Sequence, residues 1–493
     1  MILDNLALGF ATAFTIQNIF YCFMGCFLGT IVGVLPGISV VSTLSILIPL
    51  TYTLSPTSTL IMMAGIYYGA QYGSSTCAIL INNPGENSSV ITCIDGYAMT
   101  QNGRPGPAIV VAGLASFIAG CIATVFVAFF APYLTDIAFK FGPAEYSCML
   151  LMGLISIGIL TNENPVAGIA IGLLGMLLGT VGTDVNSAMS RFNFGINALA
   201  DGIGVNNIAI GIFGVTELIR GYFDKTPRTF KTKLDIMPNR EDLKRMLPSA
   251  LRGTGVGSLL GLLPGGGAAI ASYMSYVVEK RVSKNKNEIG KGAIEGVAAP
   301  EAGNNAAAQT GFIPLLALGI PENAVMGIML ATMIMAGIQP GPGVITNQPA
   351  LFWGLTVSML LGNLILVILN IPLVGIWVRL ISTPKYILFP AIFALCVYGA
   401  YVVNHNPADI AIMLALGGLG YVFYLLEIQP APLMLGFVLG PLFEEYFRRA
   451  MSIGRGSVDP FINSPICVVL LFTIAGFLLY GLYKLGVDKL VKR

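Results

Sequence analysis

The sequence predicts an all-α polytopic membrane protein, with about twelve transmembrane helices in two inverted-topology repeats that carry re-entrant hairpins and broken helices. Three observations predict it: an apolar composition, a lopsided placement of basic residues, and a phrase written twice. Hydrophobic residues make up 55% of the 493 and charged residues only 10%, where a soluble domain carries about 25% charged residues. Mean hydropathy is +0.80. The phrase GCFLGTIVGVLPG at Gly25–Gly37 returns as GTGVGSLLGLLPG at Gly253–Gly265, with six of its thirteen positions identical.

Uncharged apolar stretches of bilayer-crossing length recur along the whole chain. They run from Ile109 to Tyr133, Tyr146 to Leu160, Val166 to Val181, Leu351 to Ile371, Ile387 to Val403, Ile410 to Leu426 and Ile466 to Tyr483. No alternating barrel pattern appears, so the spans are helices. There is no Lys or Arg before Arg104, whereas thirteen fall between Lys225 and Lys291. Basic residues in short loops mark the cytoplasmic face. The stretch 221–249 therefore reads as a cytoplasmic basic linker between a first membrane half, 1–220, and a second, 250–493. The C-terminal KLGVDKLVKR is expected on the same side, and the N-terminal MILDNLALGF lacks the basic start of a cleavable signal peptide.

Arg252 precedes the second copy of the phrase, and Glu279-Lys280-Arg281 follows it. Pro264-Gly265-Gly266-Gly267 between them breaks any continuous helix. With both flanks basic, the segment dips in and returns as a re-entrant hairpin, two half-helices meeting at a Leu-Pro-Gly tip. Irregular backbone at that depth needs protein or a watery cavity around it. Such a tip offers free N–H groups and the positive end of a helix dipole to an anion. The flanks of the first copy, Met1 to Pro56, hold no basic residue, so that hairpin opens toward the opposite face and the halves are inverted. A parallel repeat with an uncharged cytoplasmic N-terminus is the alternative. The ladders Gly25, Gly29, Gly33, Gly37 and Gly253, Gly257, Gly261, Gly265 taken alone predict close helix packing; the helix-breaking ends point beyond packing.

A second element also repeats. Pro84-Gly85-Glu86-Asn87 aligns with Pro321-Glu322-Asn323, and Pro105-Gly106-Pro107 with Pro340-Gly341-Pro342. Each half thus holds a broken helix. The polar Ser74, Ser75, Asn82 and Asn83 in the first half, and Asn304, Asn305 and Gln309 in the second, lie beside it.

Together GTIVGVLPGIS, YYGAQYGSSTCAILINNPGE, DGYAMTQNGRPGPA, GSLLGLLPGGGAAIASYMSYVVEKR, GAIEGVAAPEAGNNAAAQTGFIPLLALGIP and GIQPGP resemble the large membrane subunit of the tripartite tricarboxylate transporters, the TctA family, over essentially the whole chain. The resemblance implies the membrane pathway subunit of a carboxylate uptake system in the cell (inner) membrane. It also implies a sodium or proton gradient as driving force, an extracytoplasmic solute-binding protein and a small four-helix membrane subunit as partners, and a small organic anion as cargo. Its hairpin motifs fall on Leu35, Pro36 and Gly37 and on Leu263, Pro264, Gly265 and Gly266. Its helix-break motifs fall on Asn83, Pro84 and Gly85 and on Pro300, Glu301, Asn304, Asn305 and Pro321. Glu322 and Asn323 depart from the small residues expected after Gly-Ile-Pro. That extra carboxylate has three readings: repelling a multiply charged anion, binding a cation, or facing water.

The expected substrate-binding residues are therefore Pro36, Gly37, Ser39, Asn82, Asn83, Pro84 and Gly85 in the first half, and Pro264, Gly265, Gly266, Asn304, Asn305 and Pro321 in the second. Coupling cations are expected at unwound carbonyls near Asn82–Gly85 and Asn304–Asn305, with Ser74, Ser75, Glu86 and Glu301 as side-chain candidates, since membrane-depth carboxylates are costly and usually functional. An interfacial capping role is the alternative for both glutamates. No Arg lies in the motif cores, which suits a carrier that must release its anion.

Other function classes find no support. There is no GxxxxGK[ST] phosphate loop, HExxH or serine elbow, so neither a pump nor an enzyme is expected. No cofactor, metal site or nucleic-acid partner is expected either. The single histidine, His405, reads as a turn residue in VVNHNPAD, and the eight cysteines are scattered, with Cys22 and Cys26 as packing residues. Asp95 reads as a turn residue, with a place in the coupling path as the alternative, and FEEYFRRA as an interfacial helix with i,i+4 ion pairs. An anion-selective channel, or a carrier of a non-carboxylate solute working without a binding protein, is the remaining alternative.

Overall fold

The computed structural model describes residues 2–35, 39–51, 53–161, 164–184, 187, 189–223, 237–263, 267–381 and 385–491. Before the linker the chain forms α1 (Ile2–Ala13), α2 (Ile16–Val34), α3 (Val40–Thr51), α4 (Pro56–Ile81), α5 (Thr92–Gln101), α6 (Pro105–Ala138), α7 (Pro143–Thr161), α8 (Pro165–Gly179) and α9 (Val205–Ala209), which continues through a π-helical stretch, Ile210–Val215, into α10 (Thr216–Phe223). After it come α11 (Arg240–Leu260), α12 (Gly267–Val282), α13 (Glu295–Thr310), α14 (Phe312–Leu318), α15 (Ala324–Met335), α16 (Gly343–Asn347), α17 (Pro349–Asn370), α18 (Val374–Ile381), α19 (Lys385–Val402), α20 (Pro407–Leu425), α21 (Ala431–Ile453), α22 (Asp459–Ile462) and α23 (Pro465–Val491). Residues 224–236 of the basic linker lie outside the described residues.

Helix starts follow their sequence signals. Ser55 caps α4 and Asn406 caps α20, each followed by Pro at the first helical position, where a missing N–H costs nothing. Asn239 and Asp242 form a reciprocal capping box at the start of α11. Six described helices are long and apolar enough to cross a membrane: Ile16–Val34, Pro105–Ala138, Pro143–Leu160, Pro349–Asn370, Pro407–Leu425 and Pro465–Lys484. The chain is a multi-pass, almost wholly helical membrane protein, with one short antiparallel strand pair, Gly182–Thr183 against Ser190–Arg191. Continuous helices do not by themselves reach about twelve spans of roughly 20 residues, because several apolar segments, such as Val40–Pro49 and Ala324–Met335, are shorter pieces beside breaks.

The glycine ladders are packing devices. A Cβ on Gly25, Gly29 or Gly33 would run into the backbone of Met62, Ile66 or Ala70 on α4, and one on Gly253, Gly257 or Gly261 into Ala299, Gly303 or Ala307 on α13. Backbone cannot yield as a flexible side chain can, so only glycine permits this approach. Both sets of contacts ascend together, making α2 parallel to α4 and α11 parallel to α13.

The same logic orients the remaining central helices. Cys22 and Cys26 of α2 meet the carbonyls of Ser358 and Gly362 on α17, and Thr30 meets Asn370; these two helices are parallel. Ser116 and Thr124 of α6 meet Asn305 and Gln309 of α13, again in parallel. On α6, however, Gly113 faces Ile371 and Gly120 faces Asn363, so α6 and α17 are antiparallel. Hence α2, α4 and α17 run one way, and α6, α11 and α13 run the other. Packing is exchanged between the sequence halves: α6 lies on α11 and α13, α17 on α2 and α4, α21 on α7 and α8, and the π-helical stretch on α20.

Both hairpins form. Arg252 and Ser249 of α11 bond Glu279 of α12, and Gly253 accepts from Ser275, so the arms lie side by side with their outer ends together. In the first half Ser58 reaches Asn18 and Thr59 reaches Thr51; α3 therefore carries the chain back to the end from which α2 began.

Three expectations change. FEEYFRRA is the C-terminal part of α21 rather than a separate helix, although its pairs Arg448–Glu444 (2.6 Å) and Arg449–Glu445 (2.5 Å) do form. Asp95 is not a turn residue; it is fully buried within α5. Asn304 and Asn305 do not sit at unwound backbone, because α13 continues through Pro300 and the break comes later, at 319–323.

Candidate functional site

The tip residues Pro36, Gly37, Pro264, Gly265 and Gly266 lie outside the described residues; their flanks are described. Ser39 opens α3, accepting the Ser42 N–H at 3.1 Å and sharing a 2.7 Å hydroxyl bond with Ser42, so its hydroxyl acts first as a helix cap.

In the first half α4 ends at Asn82, in a left-handed conformation (φ 54°). Asn82 is exposed, and Asn83, Pro84, Gly85 and Glu86 are half-buried. The strand of chain after it is pinned at both sides. Ser74 accepts the Glu86 N–H at 2.7 Å, and a Cβ on Gly85 would strike the carbonyl of Gly33 near the end of the first hairpin arm. The end of the first hairpin arm and the first break are thus neighbours.

The second half repeats the arrangement. α14 ends at Gly319 (φ 70°), Pro321 is buried, and Asn323 caps α15 by accepting the Met326 N–H at 2.9 Å. Gly267, the last residue of the second tip, lies beside Asn323 and the Glu322 carbonyl. The second break reaches α4, the helix that leads into the first break: the Tyr67 hydroxyl accepts from Asn323 Nδ2 at 2.9 Å, while the same amide also reaches Glu322 Oε1 at 3.0 Å. Glu86 and Glu322 are within electrostatic reach of Tyr67 and of each other. Glu322 does not face water: it is 1% exposed, with its carboxyl group against Gly311.

Two turns along α4 from Tyr67, Ser75 donates to Glu301 Oε2 at 2.7 Å, and Thr92 of α5 donates to Oε1. Asn304 approaches Oε2 at 3.5 Å; the Glu301 carbonyl accepts from Asn305 at 3.0 Å and from Ser116 at 3.5 Å. Asn305 also bonds Ser116 at 2.8 Å and Asn304 at 2.6 Å. Glu301 is 1% exposed and, among the described residues, pairs with no cationic side chain. Beside it lies a cavity of about 10 Å3, lined by Tyr72, Ser75, Thr76, Ser116, Glu301 and Asn370 among others, with room for roughly one water-sized species. A buried carboxylate without a positive partner is costly. Hydroxyl, amide and carboxylate oxygens suit a hard cation or a proton rather than a soft metal, and no metal-binding group of His, Cys, Asp and Glu occurs among the described residues.

The structure therefore gathers Ser75, Glu301, Asn304 and Asn305 at one point; Gly85 and Glu86 lie by Gly33 and Ser74, and Gly267 lies by Glu322 and Asn323. Ser74 faces the break rather than Glu301. Sequence reasoning missed Tyr67, Gln71, Thr92 and Ser116. Tyr67, Gln71 and Ser75 fall at i, i+4 and i+8, a polar stripe on one helix face that was readable in the chain. Thr92 and Ser116 come from other helices and have no local signal. Asp95 was misread: it accepts from the Tyr276 hydroxyl (2.9 Å) and from the N–H groups of Gly290 (2.9 Å), Gly292 (2.8 Å) and Ala293 (2.8 Å), tying α5 to the loop before α13.

A family model described as "Tripartite tricarboxylate transporter TctA family" matches residues 19–435. Two curated relatives from Agrobacterium vitis are similar. One, described as an uncharacterized 52.8 kDa protein in the TAR-I ttuC' 3' region, is 50% identical over 95% of this chain and 94% of its own length. The other, described as an uncharacterized protein in the TAR-II ttuC' 3' region, is 57% identical over 44% of this chain and 89% of its own. No solved structure matches the chain.

Proposed function

Because the chain belongs to the tripartite tricarboxylate transporter TctA family, we propose that it is the membrane pathway subunit of a binding-protein-dependent uptake system for small di- and tricarboxylates, driven by a sodium or proton gradient. What supports this reading is that the described end of the first hairpin arm meets the first break, that Gly267 meets the second break, and that Glu301, a buried carboxylate with no cationic partner among the described residues, is bonded by Ser75 of α4. In this reading the substrate carboxylates take the N–H groups at the tips, Pro36–Gly37 and Pro264–Gly266, and at the breaks around Asn82–Gly85 and Pro321. The coupling cation or proton sits at Glu301, held by Ser75, Thr92 and the paired Asn304 and Asn305. Glu86 and Ser74 shape the first break.

The opposite directions of α2 and α11, of α4 and α13, and of α6 and α17 support two inverted repeats, 1–220 and 250–493, totalling about twelve membrane-embedded segments. The charged face formed by Arg245 with Glu288 and Glu295, and by Arg252 with Glu279, supports a cytoplasmic side shared with the basic linker and the C-terminus. An extracytoplasmic solute-binding protein and a small membrane subunit complete the system, in a cell inner membrane. The chain is not an enzyme in this reading and needs no cofactor beyond the coupling ion.

The test is uptake of labelled di- and tricarboxylates into proteoliposomes holding the complete system, with and without imposed sodium and proton gradients. Saturable, gradient-dependent uptake with counterflow is expected. Flux that neither saturates nor shows exchange stimulation means a channel instead.

A further inference from the structure

Where the second hairpin arm passes α5, the surface carries an open groove of about 270 Å3, with Ile91 and Ile94 on the α5 side and Tyr273, Val277, Lys280 and Arg281 of α12 on the other. It is far larger than the cavity of about 10 Å3 beside Glu301, so it admits a chain of atoms rather than one ion. Tyr276, which also lines it, bonds Asp95 of α5 at 2.9 Å, and the groove therefore spans a junction between the two sequence halves. On α12, Tyr273, Val277 and Arg281 fall at i, i+4 and i+8, and Lys280 lies beside Arg281. Over about 12 Å of helix the lining thus changes from aromatic and aliphatic to cationic. The cationic end is the outer end of the arm, where Glu279 holds Arg252, and the apolar end lies nearer the tip.

Exposure and charge together specify the occupant. Ile94 and Tyr273 are 45% and 53% exposed, and in a membrane protein such apolar surface meets lipid chains. Lys280 and Arg281 are exposed as well and, among the described residues, neither is paired with a carboxylate, whereas Arg245 and Arg252 on the same charged face each hold at least one. An apolar trough ending in two unpartnered cations matches a molecule with a hydrocarbon chain and a net negative head. A free phosphate uses only the cations, and an uncharged lipid only the trough; a zwitterionic headgroup brings a further cation to the two already there. We propose that this groove is a binding site for an anionic phospholipid, with its phosphate at Lys280 and Arg281 and an acyl chain along Val277, Tyr273 and Ile94. Basic pockets between membrane helices hold headgroups by the same charge complementarity. The site is separate from the hairpin tips and does not depend on which solute the chain carries.

The experiment titrates the purified full-length chain, delipidated in detergent, and follows native mass spectra and thermal stabilisation. The ligands are dioleoylphosphatidylglycerol, dioleoylphosphatidylcholine with the same chains and a zwitterionic head, and glycerol phosphate, which has the anionic group and no chain. Phosphatidylglycerol is expected to bind about 30-fold tighter than phosphatidylcholine, the combined effect of two basic residues close to an anionic headgroup, and glycerol phosphate is expected to give no stabilisation. In the double variant Lys280→Gln with Arg281→Gln the ratio of the two lipids falls to about one. Ile94→Trp fills the trough from an exposed position and leaves both cations in place, so it should weaken both lipids alike and preserve their ratio. All three substituted side chains are exposed, so the variants are expected to fold. Equal affinity for the two lipids, a ratio unchanged in the folded double variant, or undiminished binding in Ile94→Trp overturns the assignment. Glycerol phosphate binding as tightly as phosphatidylglycerol makes the site one for a free anion, and binding of neither lipid leaves the groove to a protein partner; either result also overturns it.

Discussion

Replacing Glu301 by Gln removes one charge from the site and keeps its shape. Ser75 and Thr92 donate to its two oxygens and Asn304 lies at 3.5 Å; an amide there retains one acceptor, and the second hydroxyl can turn to accept from its NH2. The protein is therefore expected to fold, with the carboxylate's ability to bind a cation or proton gone. One elementary charge moved across 100 mV is worth about 2.3 kcal/mol, which corresponds to about 50-fold in concentration. The assay is potential-driven accumulation in proteoliposomes held at about 100 mV, the scale on which that charge counts. With one cation fewer carried per substrate, the accumulation ratio of Glu301→Gln should fall by about that 50-fold factor. Counterflow, which needs no gradient, separates lost coupling from lost transport. A variant that accumulates substrate as wild type does would refute the assignment of Glu301 as the coupling site.

Three further outcomes follow from the geometry. Gly257→Val should prevent close packing of α11 on α13, lowering stability by about 1–3 kcal/mol or more, whereas Gly255→Ala on the same helix, with open space around it, should hold or slightly raise the melting temperature; thermal unfolding in detergent compares them. Asp95→Ala strands the Tyr276 hydroxyl and the amides of Gly290, Gly292 and Ala293, at about 1–3 kcal/mol for each group left dry; protease cleavage in the loop 283–292 should accelerate, and an unchanged cleavage rate would argue against the latch. Cysteines placed at Ile16, 89% exposed at the start of α2, and at Glu241, exposed at the start of α11, should label with an impermeant thiol reagent from opposite sides of the membrane; labelling from one side would return the parallel arrangement.

Much of the helix layout was legible because apolar run length and proline starts act locally. Six of the seven stretches read from composition match helices to within about five residues, as at Leu351–Ile371 against Pro349–Asn370, and the seventh, Ile466–Tyr483, lies inside α23, which runs on to Val491. The ladders and the breaks were also legible, since glycine and proline impose backbone consequences wherever they occur. What surrounds Glu301 was not. Ser75, Thr92 and Ser116 come from three helices, and nothing in a single run of residues says that those helices touch. Asn304 and Asn305 were placed at a break because Pro300 stands nearby, yet α13 absorbs that proline in its first turns and stays helical. Asp95 looked like a turn residue next to Gly96. Gly96 instead lies against Ile79 of α4, and the carboxylate serves the loop of the other half.

The site also resolves a contradiction in charge. The site proposed above for an anion contains Glu301 and Glu322 and, among the described residues, no Lys, Arg or His bonded to either. Fixed arginines would hold a carboxylate tightly and slow its release. Neutral donors and helix termini bind it more loosely, and a cation that arrives with it neutralises Glu301 only for the loaded state. Cation and anion then favour each other's binding, and the coupling free energy is the same seen from either ligand. Substrate affinity of the purified chain should therefore rise with the coupling cation by the same factor by which the cation's affinity rises with substrate, and Glu301→Gln should abolish both dependences together. If only one of the two disappears, Glu301 is not the element that links them.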